Sequence, residues 1–330
     1  MDKLWKQIIL AVTLGILVPQ TVFSAGELLL PTEPIVPTEP VITQPEEDIS
    51  TKPVEAVMYL PVVFEDGSVK IMELEDYIRG VVLAEMPASF EEDALKAQAI
   101  AARTYVLRRL VVGDKHSQGV ICTQYTCCQA YLTDEEYLQT RGNRKGLEKI
   151  AQAVNDTASL VVTYQGDFIE ATYFACSGGR TEDALAVWGE QIPYLQAVDS
   201  AGETKGDIYN EELYFTAAEF AACLGRELMG SPKTWFGDAQ YTSGGGVAYM
   251  VIGGVVYSGV QLRKILDLKS TLFEISATNE GVYIRSRGWG HRVGMSQYGA
   301  DAMAMAGSDY RQILAYYYPG TVIDKFSNVK

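Results

Sequence analysis

The stretch YIRGVVLAEMPASFEEDALKAQAIAARTYVLRRL, residues 77–110, limits the fold more than any other part of the chain. Tyr77, Val81 and Ala84, with Ile78 and Val82, form an apolar stripe at helical spacing, which predicts a helix over 75–86. Pro87 biases the residue before it out of helical geometry and ends that helix. Ser89, followed three residues on by Glu92, has the pattern of a capping box for a second helix reaching about Leu110. Ala94, Ala97, Ala99, Ala101 and Ala102 let other backbones approach this second helix, while Lys96, Arg103 and Tyr105 interrupt its apolar character. The constraint is therefore a close-packed helix pair with a tight corner at Glu85.

Glu85 itself lies on the apolar stripe of the first helix, four residues after Val81. Burial there, and the negative end of the helix dipole, would both disfavour its charged form and raise its pKa. An arginine such as Arg103, or the start of the following helix, would act in the opposite direction. A glutamate at a helix end more often reaches water or pairs with a lysine, so the stripe alone does not assign it a role.

The chain of 330 residues is long enough for one large or two ordinary domains. Its formal net charge of −15 argues against a nucleic-acid partner, because a polyanion is bound through Lys and Arg that displace its counterions. An uncharged polymer suits it better. Residues 1–25 read as an export signal or membrane anchor: Lys3 and Lys6 precede an apolar run over 8–23 interrupted by Pro19 and Gln20. That run is short against the ~20 residues of a membrane span, and both a cleaved signal and a single-pass anchor fit it. Either places the remainder outside the cytoplasm, with membrane contact through this segment only. Residues 26–57, rich in Pro and Glu with PTEP repeated, read as an extended acidic linker.

Five cysteines make an odd count for an exported protein and argue against a full disulfide framework. The segment HSQGVICTQYTCC brings His116, Cys122, Cys127 and Cys128 within thirteen residues, a ligand set suited to tetrahedral zinc. A Cys122–Cys127 or Cys122–Cys128 disulfide, or free thiols, are the alternatives. Cys176 and Cys223 read as solitary buried thiols. In FACSGGRTE, a strand is expected to end in a polar glycine turn at which Ser177, Gly178, Gly179 and Thr181 expose hydrogen-bonding groups. Trp289 and Tyr298 could stack on sugar faces, and His291 could be a core histidine satisfied by the backbone.

Four motifs in order, LEDYIRGVVLAEMPASFEEDALKAQAIAARTY, CQAY at 128–131, ATYFACSGGRTEDALAVWG at 171–189 and GWGHRVGMSQYGADAMAMAG at 288–307, resemble the SpoIID family of stage II sporulation protein D lytic transglycosylases. The resemblance runs over residues 58–325 and implies one catalytic domain there. It implies cleavage of the β-1,4 bond between N-acetylmuramic acid and N-acetylglucosamine in peptidoglycan glycan strands stripped of peptide, during septal wall remodelling and engulfment in sporulation. Glu85 falls at the family's catalytic glutamate, with no catalytic cofactor required. Lys96, Arg103, Tyr194, Ser177, Gly178, Gly179, Thr181, His291, Gln297 and Tyr298 fall at expected substrate-binding positions. The resemblance also implies a structural zinc at His116, Cys122, Cys127 and Cys128, although relatives carry histidine where Cys127 stands. It further suggests a complex with stage II sporulation proteins P and M at the membrane facing the septal wall. A non-enzymatic wall-binding enhancer of an amidase or other autolysin is the rival reading.

The expected architecture is α+β: one catalytic unit with a substrate groove, in one or two lobes. Strands are expected between about 160 and 290, including 282–287. Two final helices are expected at 296–306 and 309–318, stopped by Gly307 and Pro319.

Overall fold

The computed structural model describes residues 57–113, 116, 120–203 and 209–329. The expected export segment and the linker up to residue 56 lie outside these residues. Among the described residues, no helix is long and apolar enough to cross a membrane.

The fold is α+β, and the expected helix pair lies at its centre. A hairpin of β1 (Tyr59–Val63) and β2 (Val69–Glu73) leads into α1 (Leu74–Glu85) and α2 (Glu92–Val112). β3 (Ile121–Cys122) pairs parallel to β1. α3 (Asp134–Thr140) and α4 (Arg144–Asp156) then precede β4 (Leu160–Tyr164), β5 (Asp167–Phe168) and β6 (Tyr173–Phe174). After the short α5 (Ala184–Trp188) comes a run of antiparallel sheet carrying its own hydrophobic cluster.

That run holds β7 (Glu211–Thr216), α6 (Ala217–Cys223), β8 (Phe236–Tyr241), β9 (Val247–Ile252), β10 (Val255–Ser258), α7 (Gly259–Ile265), β11 (Phe273–Ala277) and β12 (Gly281–Ser286). Its sheets have the orders β10-β9-β8 and β11-β12-β7 around Phe220, Trp235, Leu262 and Phe273. The chain then returns to the first cluster through β13 (Met295–Ser296), α8 (Gln297–Met305), α9 (Tyr310–Tyr317) and β14 (Val322–Lys325). β13 pairs parallel to β6, and β14 pairs antiparallel to β4. This return sets the 288–307 motif beside the 171–189 motif.

α2 is buried from Ala97 through Leu107. A helix apolar on every side is a core helix, and its alanines let α1, α4, α8 and α9 pack around it. Arg103 is the charged exception within it: its side chain has no solvent exposure. Its Nε donates to Glu75 Oε1 at 2.9 Å, and its Nη1 donates to the Leu160 carbonyl at 3.0 Å. It ties the start of α1 to β4 through the middle of the core.

Two local expectations fail. The Ser89–Glu92 capping box is absent: Glu91 is the N-cap of α2 and has no side-chain cap, and its N–H donates instead to Asp301 Oδ1 on α8 at 2.7 Å. The helix starts two residues later than the box requires, and a carboxylate on α8 accepts the N–H of its N-cap residue. Cys223 is exposed on α6 rather than buried.

Because the Arg103 guanidinium is buried with one carboxylate partner, Glu75→Ala should destabilise the fold by about 3 kcal/mol in urea unfolding. Adding Arg103→Met to that variant should recover part of the loss. A Glu75→Ala protein as stable as the parent would show that the pair is not holding α1 against β4.

Candidate functional site

α1 ends at a cleft of roughly 1130 Å³. Its wall is formed by Ala84 and Glu85, the 125–130 loop, the 172–175 strand region, the 188–194 segment, Tyr209, the 289–291 turn and Gln297, with Tyr105, Arg108, Arg109 and Glu170 at one side. Gly80 makes the corner possible. A Cβ there would come within 2.2 Å of the Tyr131 ring, so the bare helix face lets CQAY lie against α1, and Tyr131 stacks on Tyr77 at 5.8 Å. The loop that follows Cys128 is thereby held next to Glu85.

Glu85 is half-buried in the cleft wall. Gln297 Nε2 donates to its Oε2 at 3.1 Å across 212 residues of sequence. Desolvation raises its pKa above 4.5, and this outweighs the opposing effects of the Gln297 hydrogen bond, the Ala130 backbone and the positive charge of Arg141. The sequence alone left this balance open; desolvation prevails, and Arg141, rather than Arg103, is the arginine that opposes it. Tyr77, Gln129 and Tyr173 form a hydrogen-bonded ladder nearby, with Gln129 Nε2 donating to Tyr173 Oη at 2.8 Å. Burial, with the Glu85 charge as a further contribution, drives the Tyr173 phenol well above its usual range.

A second wall is aromatic. Trp188 and Trp289 are 43% and 47% exposed and line the cleft. The His291 ring packs between Phe174 and Trp188, at 5.7 and 5.5 Å, and its Nδ1 accepts from the Val293 N–H at 3.1 Å. Burial pushes the His291 pKa down to about 4, so the ring is neutral near pH 7 and acts as packing beneath Trp188.

Of the expected site residues, Glu85, Tyr194, His291 and Gln297 meet at the cleft. Tyr298 does not line it: its hydroxyl accepts from Tyr209 Oη at 3.3 Å and its ring packs on Phe90, so it supports a lining residue. Lys96 points elsewhere, to Glu92 at 2.6 Å and Asp156 at 2.9 Å. Arg103 is enclosed in the core and cannot touch a ligand.

Ser177, Gly178, Gly179 and Thr181 also miss the cleft wall. The turn that carries them folds onto Glu203, whose Oε2 accepts from the Ser177 N–H, the Ser177 hydroxyl, the Gly178 N–H and the Cys176 thiol. Gly179 N–H donates to Ser177 Oγ, and the buried Thr181 hydroxyl accepts from Val198 N–H. The turn's polar groups are consumed by the protein because a buried carboxylate needs several donors. Sequence reading missed Arg108, Glu170, Trp188 and Tyr209 in the wall. ALAVWG at 184–189 and the arginine pair ending a buried helix were the available signals.

His116, Cys122, Cys127 and Cys128 come together as expected, with their ligand atoms within 4.8 Å of one another. The five cysteines are all free, so neither proposed disulfide is present. A turn in which the Cys127 and Cys128 N–H groups both donate to the Gln124 carbonyl presents the two adjacent sulfurs together. His116 Nε2 lies 3.5 Å from Cys127 Sγ and 3.4 Å from Cys128 Sγ, and the two sulfurs are 4.0 Å apart. These separations lie within a few tenths of an ångström of the ~3.5–3.8 Å edges of a tetrahedron built from ~2.0–2.3 Å bonds. The donor set therefore fits a bound metal ion. Burial pushes the Cys128 thiol up to about 12, a tendency that a cation at its sulfur would reverse.

A stage II sporulation protein (SpoIID) family profile matches residues 65–164. The chain is 37% identical over 322 residues to stage II sporulation protein D of Bacillus subtilis (strain 168), covering 96% of this chain and 92% of that one. It is 36% identical to stage II sporulation protein D of Bacillus amyloliquefaciens, over 85% of this chain and 81% of that one. It is also 27% identical to the amidase enhancer of B. subtilis, over 76% of this chain and 40% of that one. The chain belongs to the SpoIID family.

Because the folded-state pKa of Glu85 is raised, the stability linked to its proton is complete below the unfolded value and declines as pH rises through the folded value. Glu85→Gln removes that dependence. Its melting temperature relative to the parent should therefore climb as pH rises from the ordinary glutamate value through the raised folded-state value. A pH-independent difference would mean that Glu85 ionises as freely in the folded protein as in the unfolded chain.

Proposed function

We propose that the chain is a lytic transglycosylase that cleaves the N-acetylmuramic acid to N-acetylglucosamine β-1,4 bond of peptide-stripped peptidoglycan strands. The observation that carries this reading is one carboxyl group, Glu85, with a raised pKa in the wall of a cleft that is aromatic on one side. Of the other two carboxylates lining the cleft, Glu170 is engaged by Arg108 and Arg109 and Glu190 is exposed at the rim.

One carboxyl group suffices for the chemistry. Protonated Glu85 donates its proton to the glycosidic oxygen as the bond to C1 breaks, and the resulting carboxylate is held by Gln297 and the Ala130 backbone. It then accepts the proton of the C6 hydroxyl as that oxygen bonds to C1, which closes a 1,6-anhydro ring without water as nucleophile. Paired acids of the kind most glycoside hydrolases use are unnecessary. Trp188 and Trp289 offer faces on which pyranose rings can stack.

The place of action is then the wall outside the cytoplasm during sporulation. The N-terminal segment serves as tether or cleaved signal, and stage II sporulation proteins P and M are candidate partners. The likeness to an amidase enhancer keeps a non-enzymatic, wall-binding role as the second reading. Glu85→Ala separates the two: turnover of amidase-treated strands should fall by at least ~10³-fold while strand binding changes little. A variant that retains turnover would remove Glu85 as the acid.

The metal at His116, Cys122, Cys127 and Cys128 is proposed to be zinc in a closed structural site, which orders the 125–130 loop of the cleft wall. Purified protein should contain about one equivalent, and a chelator should lower the melting temperature because metal binding is coupled to folding. His116→Ala should lower zinc content. Metal-free protein with an intact Cys122–Cys128 disulfide would exclude this site.

A further inference from the structure

The side of the cleft next to Tyr194 carries a cation that the chemistry at Glu85 does not use. Arg108 stands near the end of α2, after the buried stretch of that helix has finished. Its Nε donates to Glu170 Oε2 at 2.9 Å and its Nη1 donates to the Phe168 carbonyl at 3.1 Å. Glu170 is itself fixed, by an ion pair with Arg109 and by its own N–H donating to Tyr194 Oη at 3.0 Å. The Arg108 side chain keeps 32% of its surface exposed against 12% for Glu170, so the pair offers the cleft its guanidinium more than its carboxylate. Among the described residues, Nη2 of Arg108 has no hydrogen-bond partner. A planar guanidinium oriented through two of its edges, with donors left over at a cleft wall, is pre-organised for an anionic oxygen ligand. A chain with net charge −15 has no general cationic surface from which this would follow.

We propose that Arg108 is a specificity subsite for a carboxylate carried by the substrate sugar: the lactyl ether carboxylate of a muramic acid residue from which the stem peptide has been removed. This rests on the glycan-strand reading above. N-acetylglucosamine presents only hydroxyls and an acetamido group, so it gives Arg108 nothing charged to bind. An intact stem peptide converts the lactyl carboxylate into an amide, which both removes the charge and adds bulk at the same position. One arginine thereby favours stripped muramic acid strands over chitin-like strands through charge, and over peptide-bearing strands through charge and size. Lys96 and Arg103, the cations expected to bind the sugar, have their charges engaged away from the cleft, which leaves this corner as the place for an anion.

The test uses the full chain carrying Glu85→Gln, so that the ligand is not consumed, and calorimetry with three tetrasaccharides. These are a muramic acid glycan with free lactyl carboxylates, the same glycan with those groups converted to methylamides, and chitotetraose. The free-acid glycan should bind ~10-fold more tightly than its amide, the worth of one charge-assisted contact at a partly exposed site. Adding Arg108→Gln should bring that ratio within ~2-fold, whereas Arg108→Lys should retain part of it. A purely structural role for Arg108 would weaken both muramic ligands alike and leave the ratio unchanged, and that result overturns the assignment. Equal binding of acid and amide by the parent overturns it without any variant, while binding of all three sugars keeps the glycan reading intact. Failure of every sugar to bind removes both.

Discussion

The placement of Glu85 depends on another carboxylate, the buried side chain of Glu203. One of its oxygens collects four donors from Cys176, Ser177 and Gly178, and the other accepts from Ser200 Oγ at 2.7 Å and Ser296 Oγ at 2.5 Å. Ser296 is the N-cap of α8, and the next residue is Gln297, which reaches Glu85. Glu203 thus clamps the 176–178 turn to Ser296 at the start of α8, 93 residues beyond Glu203 itself, and the clamp positions the Gln297 side chain that donates to Glu85. A carboxylate with this many donors is stabilised where an unpartnered one would be expelled. Gly299 completes the joint: a Cβ there would fall 2.2 Å from Ser200 Oγ.

The two carboxyl groups show opposite uses of burial. Glu203 is surrounded by donors and serves as a structural hub. Glu85 has fewer, and desolvation prevails, so its proton is retained to higher pH. Both contact the start of α8, Glu203 through Ser296 and Glu85 through Gln297, so the structural carboxylate and the proposed acid are linked through two adjacent residues. The loop over His116, Cys122, Cys127 and Cys128 approaches Glu85 from the other direction, through Ala130, and a bound metal there would stiffen that support.

How much of this was legible in the sequence follows from the range of each interaction. The α1–α2 corner could be read because apolar periodicity and Pro87 are local signals, and the final helices because Gly307 and Pro319 punctuate them. The gathering of His116, Cys122, Cys127 and Cys128 could be read because thirteen residues contain them all. The capping box could not, since α2 starts two residues later, at Glu91, whose N–H is held by Asp301 on distant α8. The FACSGG turn looked ready for a ligand because the carboxylate that occupies it, Glu203, lies in a segment with no motif. Lys96 and Arg103 were placed on the correct helix, but a helix buried on nearly all sides gives no face from which to infer direction. The same ambiguity hid Arg108.

The chemistry proposed for Glu85 would leave a distinctive mark on the product. Strands first stripped of peptide by an amidase, then digested with the purified protein, can be read by mass spectrometry at their newly formed ends. A single carboxyl group acting first as acid and then as base predicts 1,6-anhydro-N-acetylmuramic acid at each new terminus. Termini heavier by one water, in the form of reducing hemiacetals, would contradict it and require a hydrolytic site with a second acid.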